Sequence, residues 1–320
     1  MKKNIVFIFI LISIFSVFSD ELVNINKPVS PNESIFIENI SGIVNVNGWD
    51  KNELSIKGKL SKYVERLDLT SDAENETTSV TLVLKESERE KKNVNCYLDI
   101  WVPVNSKIDV NTTSSSIKIA YLKGDITARS VSGEIECYAN ANNVELQTAS
   151  GGLKSSGNAK NLSITTVSGR VKVIGTSDYL VVEAVSSDVD IEGNFNDVRV
   201  KTVSGDIDFE NNILSRGVFN VTSGDIWIES KIAKNIGLEV ESMSGDVRLN
   251  LRGSVSADFL VGTFSGDIHI LGIPKRNKDN EYEDFTFMGK NKSMKFNTGT
   301  DGGRISIQSF SGDISVVKKL

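Results

Sequence analysis

Apolar and polar residues alternate in short runs along most of the chain after residue 113. Apolar pairs two positions apart, such as Val171/Val173 and Leu162/Ile164, recur from one run to the next. Alternation with a period of two is typical of β-strands that bury one face. The pattern predicts an all-β chain with two strands in each repeating unit. We also expect a third apolar residue, immediately before each turn, to face the core: Val167, Val185, Val203, Met243, Phe264 and Phe310.

A short turn sequence, most often Ser-Gly-Asp followed by Ile or Val, separates the alternating runs. The turn serines are 18 residues apart from Ser114 to Ser204, then 19, 21 and 21 residues apart as far as Ser265, and 46 residues apart before Ser311. Such a regular period indicates a solenoid. Because parallel crossover connections are right-handed, we predict a single-stranded right-handed parallel β-helix with about ten coils of 18–21 residues. The turn serines are Ser114, Ser132, Ser150, Ser168, Ser186, Ser204, Ser223, Ser244, Ser265 and Ser311.

The residue types of the turn have a structural explanation and a functional alternative. Glycine accepts the positive φ of a sharp bend, and Ser and Asp side chains bond to nearby backbone groups. The alternative is a calcium ladder, because stacked coils would bring the turn carboxylates together. Earlier coils carry Glu134, Gly152 and Arg170 at the same place, so we favour turn chemistry and expect neither a metal nor another cofactor. The calcium candidates are Asp206, Asp225, Asp246 and Asp267, flanked by Asp188 and Asp313.

The ends of the repeat predict the domain organisation. Residues 20–113 follow the same alternation less regularly, and a solenoid needs a cover over its terminal strand edges, so we expect an N-terminal β cap with the first irregular coils there. Residues 114–320 form the regular β-helix. A long insert at 272–303 separates the last two turns and carries charged residues together with Tyr282 and Phe285. Both a binding loop and a tolerated insertion remain open for it, since long surface loops cost little free energy.

The first 19 residues have the layout of a secretory signal peptide. Lys2 and Lys3 precede an apolar run from Ile5 to Phe18, and small residues close the segment at Ser19. The run is shorter than the ~20 residues of a membrane-spanning helix, which favours cleavage over an uncleaved anchor. We therefore predict an exported protein of the periplasm, the cell surface or the secreted fraction.

Composition narrows the chemistry. The chain has 36 Lys and Arg against 42 Asp and Glu, a net charge of −6, which argues against a nucleic-acid partner. One His and two Cys leave little for a His-based triad or a Cys/His metal site. Cys96 and Cys137 fall on different coils, too far apart for a disulfide, so we expect two free and buried thiols.

Three sets of residues resemble a known family. They are the segment Ile43–Asp50, the segment Leu98–Pro103, and the serial Ser-Gly-Asp-Ile/Val turns as far as Ile314. The chain resembles the bacterial "putative adhesin" family of exported β-helical domains, whose biochemical role is undefined. The resemblance implies the β-helical fold and an envelope location, and it supplies no catalytic residues.

Two sets of outward residues are candidates for function. Trp227, Arg248 and His269 occupy equivalent positions in the coils that follow one another in sequence, so we expect one exposed row that could bind an envelope glycan or a protein. An unremarkable exposed face is the alternative reading of that row. Asp190 and Asp208, on adjacent coils, could form a carboxylate pair of a polysaccharide lyase or hydrolase, yet that proximity follows from stacking alone. We therefore predict a non-catalytic adhesin-like scaffold or binding module, open to self-association, with the enzyme as the alternative.

Overall fold

The computed structural model describes residues 20–86, 94–274, 292–300 and 302–319. All regular elements in these ranges are β-strands apart from a single 3-10 residue, so the predicted all-β solenoid is confirmed, whereas its right-handedness stays a prediction. The chain divides into two compact units, Met1–Ala159 and Lys160–Leu320. Within the described ranges there is no helix long and apolar enough to cross a membrane.

The first unit contains parallel coils together with antiparallel strands. Strand β2 pairs in parallel with β7, and the Ser41-Gly42 turn lies level with Ser114-Ser115. Antiparallel pairs join β1 to β3, β3 to β6 and β4 to β5. The strands are β1(Glu21–Pro28), β2(Ser34–Trp49), β3(Glu53–Leu60), β4(Val64–Asp72), β5(Thr77–Leu84), β6(Cys96–Pro103), β7(Lys107–Ala120), β8(Ile126–Ser132), β9(Ile135–Ser150) and β10(Leu153–Ser168), which continues into the second unit.

Both cysteines lie inside the first unit as free, buried thiols, as predicted. Cys137 faces the core beside Ile119, whereas Cys96 lies level with Gly42. Three strand spacings separate them along the stack, about 14 Å, so a disulfide cannot form. Burial raises the pKa of Cys137 to about 12 and also raises the pKa of Cys96. Both thiols therefore remain protonated and unreactive at neutral pH.

The second unit is a stack of parallel strands in close register. Equivalent residues of successive coils pair directly, as Val171 does with Val189 and Val189 with Ile207. The coil between Ser204 and Ser223 has one residue more than the coil before it, which interrupts the hydrogen bonds between the two strands. There the buried Asn211 side chain accepts a hydrogen bond from the Phe195 N–H and donates one to the Phe195 carbonyl oxygen. The strands are β11(Val171–Ser186), β12(Val189–Ser204), β13(Ile207–Ser223), β14(Ile226–Ser244), β15(Val247–Arg252), β16(Asp258–Ser265), β17(Ile268–Leu271), β18(Lys292–Asn297), β19(Arg304–Ser311) and β20(Ile314–Lys319).

The last coil in sequence is not the last in the stack. We call each level of the stack a rung and name it by its turn serine. Strand β19 lies between β14 and β16, and β20 lies between β15 and β17. The Ser311 rung is therefore inserted between the Ser244 and Ser265 rungs, and the expected sequential order of the coils is wrong here. Strand β18, from the predicted insert, pairs antiparallel with β16 at the outer side.

The residues immediately before the turns point outward, contrary to the expectation that they face the core. Val167, Val185, Val203, Met243 and Phe310 are 42–59% exposed, and Phe264 is half-buried. Strand alternation explains this: Leu162 and Ile164 face inward, so Thr166 also does and Val167 cannot. The inward position before the turn is often Ser or Thr, whose hydroxyl donates to a turn carbonyl, as Thr166 does to Ser168 at 3.1 Å.

Candidate functional site

The outward residues before the turns form an apolar ridge on the second unit. We define the apolar ridge as Val185, Val203, Met243, Phe310 and Phe264, in stacking order, with Thr222 between Val203 and Met243. The rings of Phe264 and Phe310 are parallel within 2°, with centroids 4.8 Å apart. Because strand spacing fixes the separation of these side chains, the ridge is an apolar strip on the outside of the sheet that Thr222 interrupts once.

A groove of about 370 Å³ runs beside the ridge. One wall is formed by Met243, Phe310 and Phe264, and Leu260 lies at the far end. The adjoining outward column carries a side chain on each rung until Gly262, where only backbone remains, and no atom lies within 3.8 Å of a Cβ placed there. The missing side chain widens the groove at the Ser265 rung. The column reads Lys201, Asn220, Glu241, Gln308 and Gly262.

The groove also has a polar side. With its amide nitrogen facing acceptors, Asn220 donates to Glu241 Oε2 at 3.3 Å. Lys292, from β18, pairs with Asp267, and this hydrogen-bonded ion pair lowers the pKa of Asp267. An apolar wall with a few oriented polar groups is the usual composition of a ligand-binding groove.

The turn aspartates form a column three residues beyond the ridge. Except at Asp267, the last of the column, each Oδ1 accepts the backbone N–H of the aspartate on the next rung, for example Asp225 from Asp246 at 2.7 Å and Asp246 from Asp313 at 2.8 Å. We call this column the Asp ladder: Asp188, Asp206, Asp225, Asp246, Asp313 and Asp267. The carboxylates thus have a structural role as turn acceptors. Within the described ranges, no group of three or more His, Cys, Asp or Glu side chains could hold a metal ion.

The predicted row of Trp227, Arg248 and His269 is interrupted. Trp227 lies level with Arg248, but Ser315 of the inserted rung separates Arg248 from His269. The expected three-residue row is therefore wrong, for the same reason as the coil order. Trp227 is half-buried, and Lys319 Nζ lies 5.9 Å from its ring centroid. Tyr282 and Phe285 lie outside the described residues.

Asp190 and Asp208 do lie level on adjacent strands. Partial burial, followed by repulsion from Asp190, Glu210 and Glu229, raises the pKa of Asp208. The buried Glu229 carboxylate contacts the ammonium group of Lys319 and lies 3.9 Å from Arg252 Nε. These acidic side chains lie on the strand segments that begin just after the turns. The groove lies on the segments that end just before the turns, so none of these acidic side chains lines it.

Comparison with known proteins identifies the architecture. A family model described as Toastrack DUF4097 matches residues 29–317. The chain belongs to this family. No curated protein sequence matches this chain significantly.

Three crystal structures show some similarity to this chain. A putative adhesin from Parabacteroides distasonis is 12% identical with a TM-score of 0.42, covering 93% of this chain and 97% of that one. A putative adhesin from Bacteroides fragilis is 13% identical with a TM-score of 0.33, over 93% and 97% of the two chains. A putative lipid binding protein from Parabacteroides distasonis is 13% identical with a TM-score of 0.34, over 94% and 97%.

The groove could not be found from the sequence once the residues of its wall were assigned to the core. Met243 and Phe310 have the side chains expected inside a protein, and hydrophobicity outweighed position in that assignment. Strict strand alternation could have identified them. Every second residue after the inward Leu238 and Val240 faces the core, so Ser242 faces inward and Met243 faces outward. Gly262 was a second indication of the groove, because it is the one glycine in the column of Lys201, Asn220, Glu241, Gln308 and Gly262.

Proposed function

We propose that the protein is a non-catalytic, exported binding module of the cell envelope and that it binds its partner through the groove of the second unit. The groove beside the apolar ridge is the observation that carries this proposal. Export rests on the pattern of residues 1–19, which lie outside the described ranges.

The chemistry of the ridge supports binding. Met243 and Phe310 keep about half of their surface in water although they occupy regular strand positions. Removing such surface from water on binding contributes roughly 25 cal/mol per Å². The stack also holds these side chains on paired strands, so little conformational order has to be created when a partner binds. Rigid, exposed apolar positions of this kind suit recognition.

The proposal predicts that binding depends on the groove wall. The variant Met243→Ser/Phe310→Ser should weaken a bound ligand by at least about tenfold, because a central interface anchor contributes about 2 kcal/mol. Ligands are first selected for the unaltered protein from a glycan array and from a random 12-residue peptide library. Affinities for the two proteins are then compared by biolayer interferometry.

Tyr179→Ser is the matched control, since Tyr179 is a similarly exposed aromatic residue on a strand of the same unit and does not line the groove. It should bind the selected ligands as the unaltered protein does. Equal binding of all selected ligands by the unaltered protein and the groove variant would contradict the proposal.

A further inference from the structure

We infer that the partner in the groove is an extended polypeptide segment that carries apolar side chains and Lys or Arg together. This inference rests on the proposed function and adds the chemistry of the partner to it. Three features of the second unit support it: the length of the groove, the polar groups along its floor, and the Asp ladder, which lies on the other side of the apolar ridge and does not itself line the groove.

The length of the groove suits an extended chain. Its polar column passes from Lys201 to Gly262 over five successive rungs. Four spacings between strands give about 19 Å, which an extended polypeptide spans with about five or six residues at ~3.4 Å each. Such a segment would run along the stack and cross the strands.

The floor of the groove favours a polypeptide over an acyl chain. Asn220, Glu241 and Gln308 offer amide and carboxylate groups along the middle of the groove. A peptide backbone supplies N–H and C=O groups that pair with them. An acyl chain would cover the Glu241 carboxylate without giving it a hydrogen bond, which is costly.

The aromatic pair weighs against a sugar as the main ligand. The rings of Phe264 and Phe310 are parallel, and their separation of 4.8 Å means that each covers one face of the other. Sugars bind aromatic side chains through an open ring face, and this pair offers fewer open faces than two separate rings would. Met243, next on the ridge, has no ring at all.

The negative charge of the Asp ladder favours a cationic partner. Asp206, Asp225, Asp246 and Asp313 follow one another beside the ridge, and the ion pairs of the described residues involve none of these four. Their Oδ1 atoms accept turn N–H groups, which leaves each Oδ2 able to accept from a partner.

The nearby cations do not cancel this charge. Lys292 is paired with Asp267, and Lys201 lies level with Glu183 on the neighbouring strand. An anionic lipid surface would therefore be repelled along the ladder, and so would a second copy of this chain that placed its own ladder there. A segment with Lys or Arg is attracted instead.

The test uses the random peptide library and separates charge from apolar contact. The variant Asp225→Asn/Asp246→Asn/Asp313→Asn keeps an oxygen at each Oδ1 position to accept the turn N–H, so it should remain folded by circular dichroism. Peptides selected on the unaltered protein should be enriched in apolar residues and in Lys or Arg. They should bind the Asn variant about tenfold more weakly, as expected for three exposed charge pairs. Their affinity should fall with added salt less steeply for the Asn variant than for the unaltered protein.

The alternative outcomes are distinct. Groove-dependent peptides without basic enrichment, or with equal affinity for the Asn variant, would overturn the cationic partner and leave the binding groove intact. Groove-dependent glycans alone, or groove-dependent association with phosphatidylglycerol vesicles, would also overturn it. Ligands insensitive to Met243→Ser/Phe310→Ser would instead contradict the proposed function itself.

Discussion

The turn glycines of the second unit lie where the backbones of neighbouring rungs approach each other closely. Gly245 has a φ of +137°, and a Cβ atom added to it would lie 2.0 Å from the carbonyl oxygen of Gly224. The contact recurs on the rung before, where a Cβ on Gly224 would lie 2.3 Å from the Gly205 oxygen. A side chain is therefore excluded twice, by the backbone conformation and by the neighbouring turn.

Gly245→Ala should consequently lower the free energy of unfolding by about 2 kcal/mol or more, since a strained backbone conformation alone costs about 1–3 kcal/mol. Urea unfolding followed by circular dichroism measures the change. Gly237→Ala is the control, because Gly237 is exposed and no atom lies within 4 Å of a Cβ placed on it. Equal unfolding midpoints for the two variants would show that the close approach of the turns does not determine stability.

Asp208 gives a prediction on pH. Its pKa in the folded chain is raised above the ordinary value of 3.8, first by partial burial and then by Asp190, Glu210 and Glu229. A carboxyl group with a raised pKa destabilises the fold when it is ionised, and the penalty disappears as the pH falls through the folded and then the unfolded pKa. Above the folded pKa the penalty is present in full.

Asp208→Asn should therefore raise the free energy of unfolding at pH 7 by ~0.2–0.5 kcal/mol, a small value because Asp208 is exposed to solvent. The gain should shrink towards zero below about pH 4. Thermal unfolding of both proteins between pH 3 and pH 8 tests this, with Asp258→Asn as a comparison, since Asp258 is an exposed carboxylate elsewhere on the same unit. A gain that stays constant over the whole range would refute the assignment to charge.

At the scale of the strand, the alternation of apolar and polar residues predicted the strands correctly. It predicted the direction of individual side chains correctly at some positions and wrongly at others. The inward pairs are confirmed, with Val171, Val189 and Ile207 all buried. The residues before the turns were misassigned because hydrophobic character and strand parity conflict at Val185 and Met243, and parity prevails once the backbone is paired. The groove could not be predicted while its wall was placed in the core.

Strand β20 is held by an ion pair as well as by its ladder. Lys319 contacts the carboxylate of Glu229, which is buried two rungs away in β14. Lys319→Met should cost roughly 1–3 kcal/mol of unfolding free energy, because it leaves a buried charge with less compensation. Arg252 Nε at 3.9 Å from Glu229 limits the loss.

A double-mutant cycle isolates this pair. Glu229→Gln/Lys319→Met should recover most of the stability lost in Lys319→Met, since no unpaired carboxylate then remains. Chemical unfolding of the two single variants, the double variant and the unaltered protein gives the coupling energy. Additive losses would mean that Lys319 acts through its packing on Trp227 and not through Glu229.

At the scale of the whole molecule, the stacking order of each unit departs from the order of its strands in the chain. Strand β2 lies between β6 and β7 in the first unit, and the Ser311 rung lies between the Ser244 and Ser265 rungs in the second. The sequence could not predict the place of the Ser311 rung, because the turns at Ser244, Ser265 and Ser311 carry the same Ser-Gly-Asp signal and their rungs present similar strand edges. The interval of 46 residues before Ser311 marked an interruption without showing where the chain returns.

The inserted rung has a consequence for biosynthesis. Residues 304–319 leave the ribosome after β14, β15, β16 and β17, yet they pair with strands on both sides. Until residues 304–319 emerge, β16 and β17 lack the parallel neighbours β19 and β20. The facing edges of β14 and β15 also remain unpaired. The second unit therefore cannot wind progressively from its beginning to its end. It closes when residues 304–319 enter between two levels that were synthesised before them.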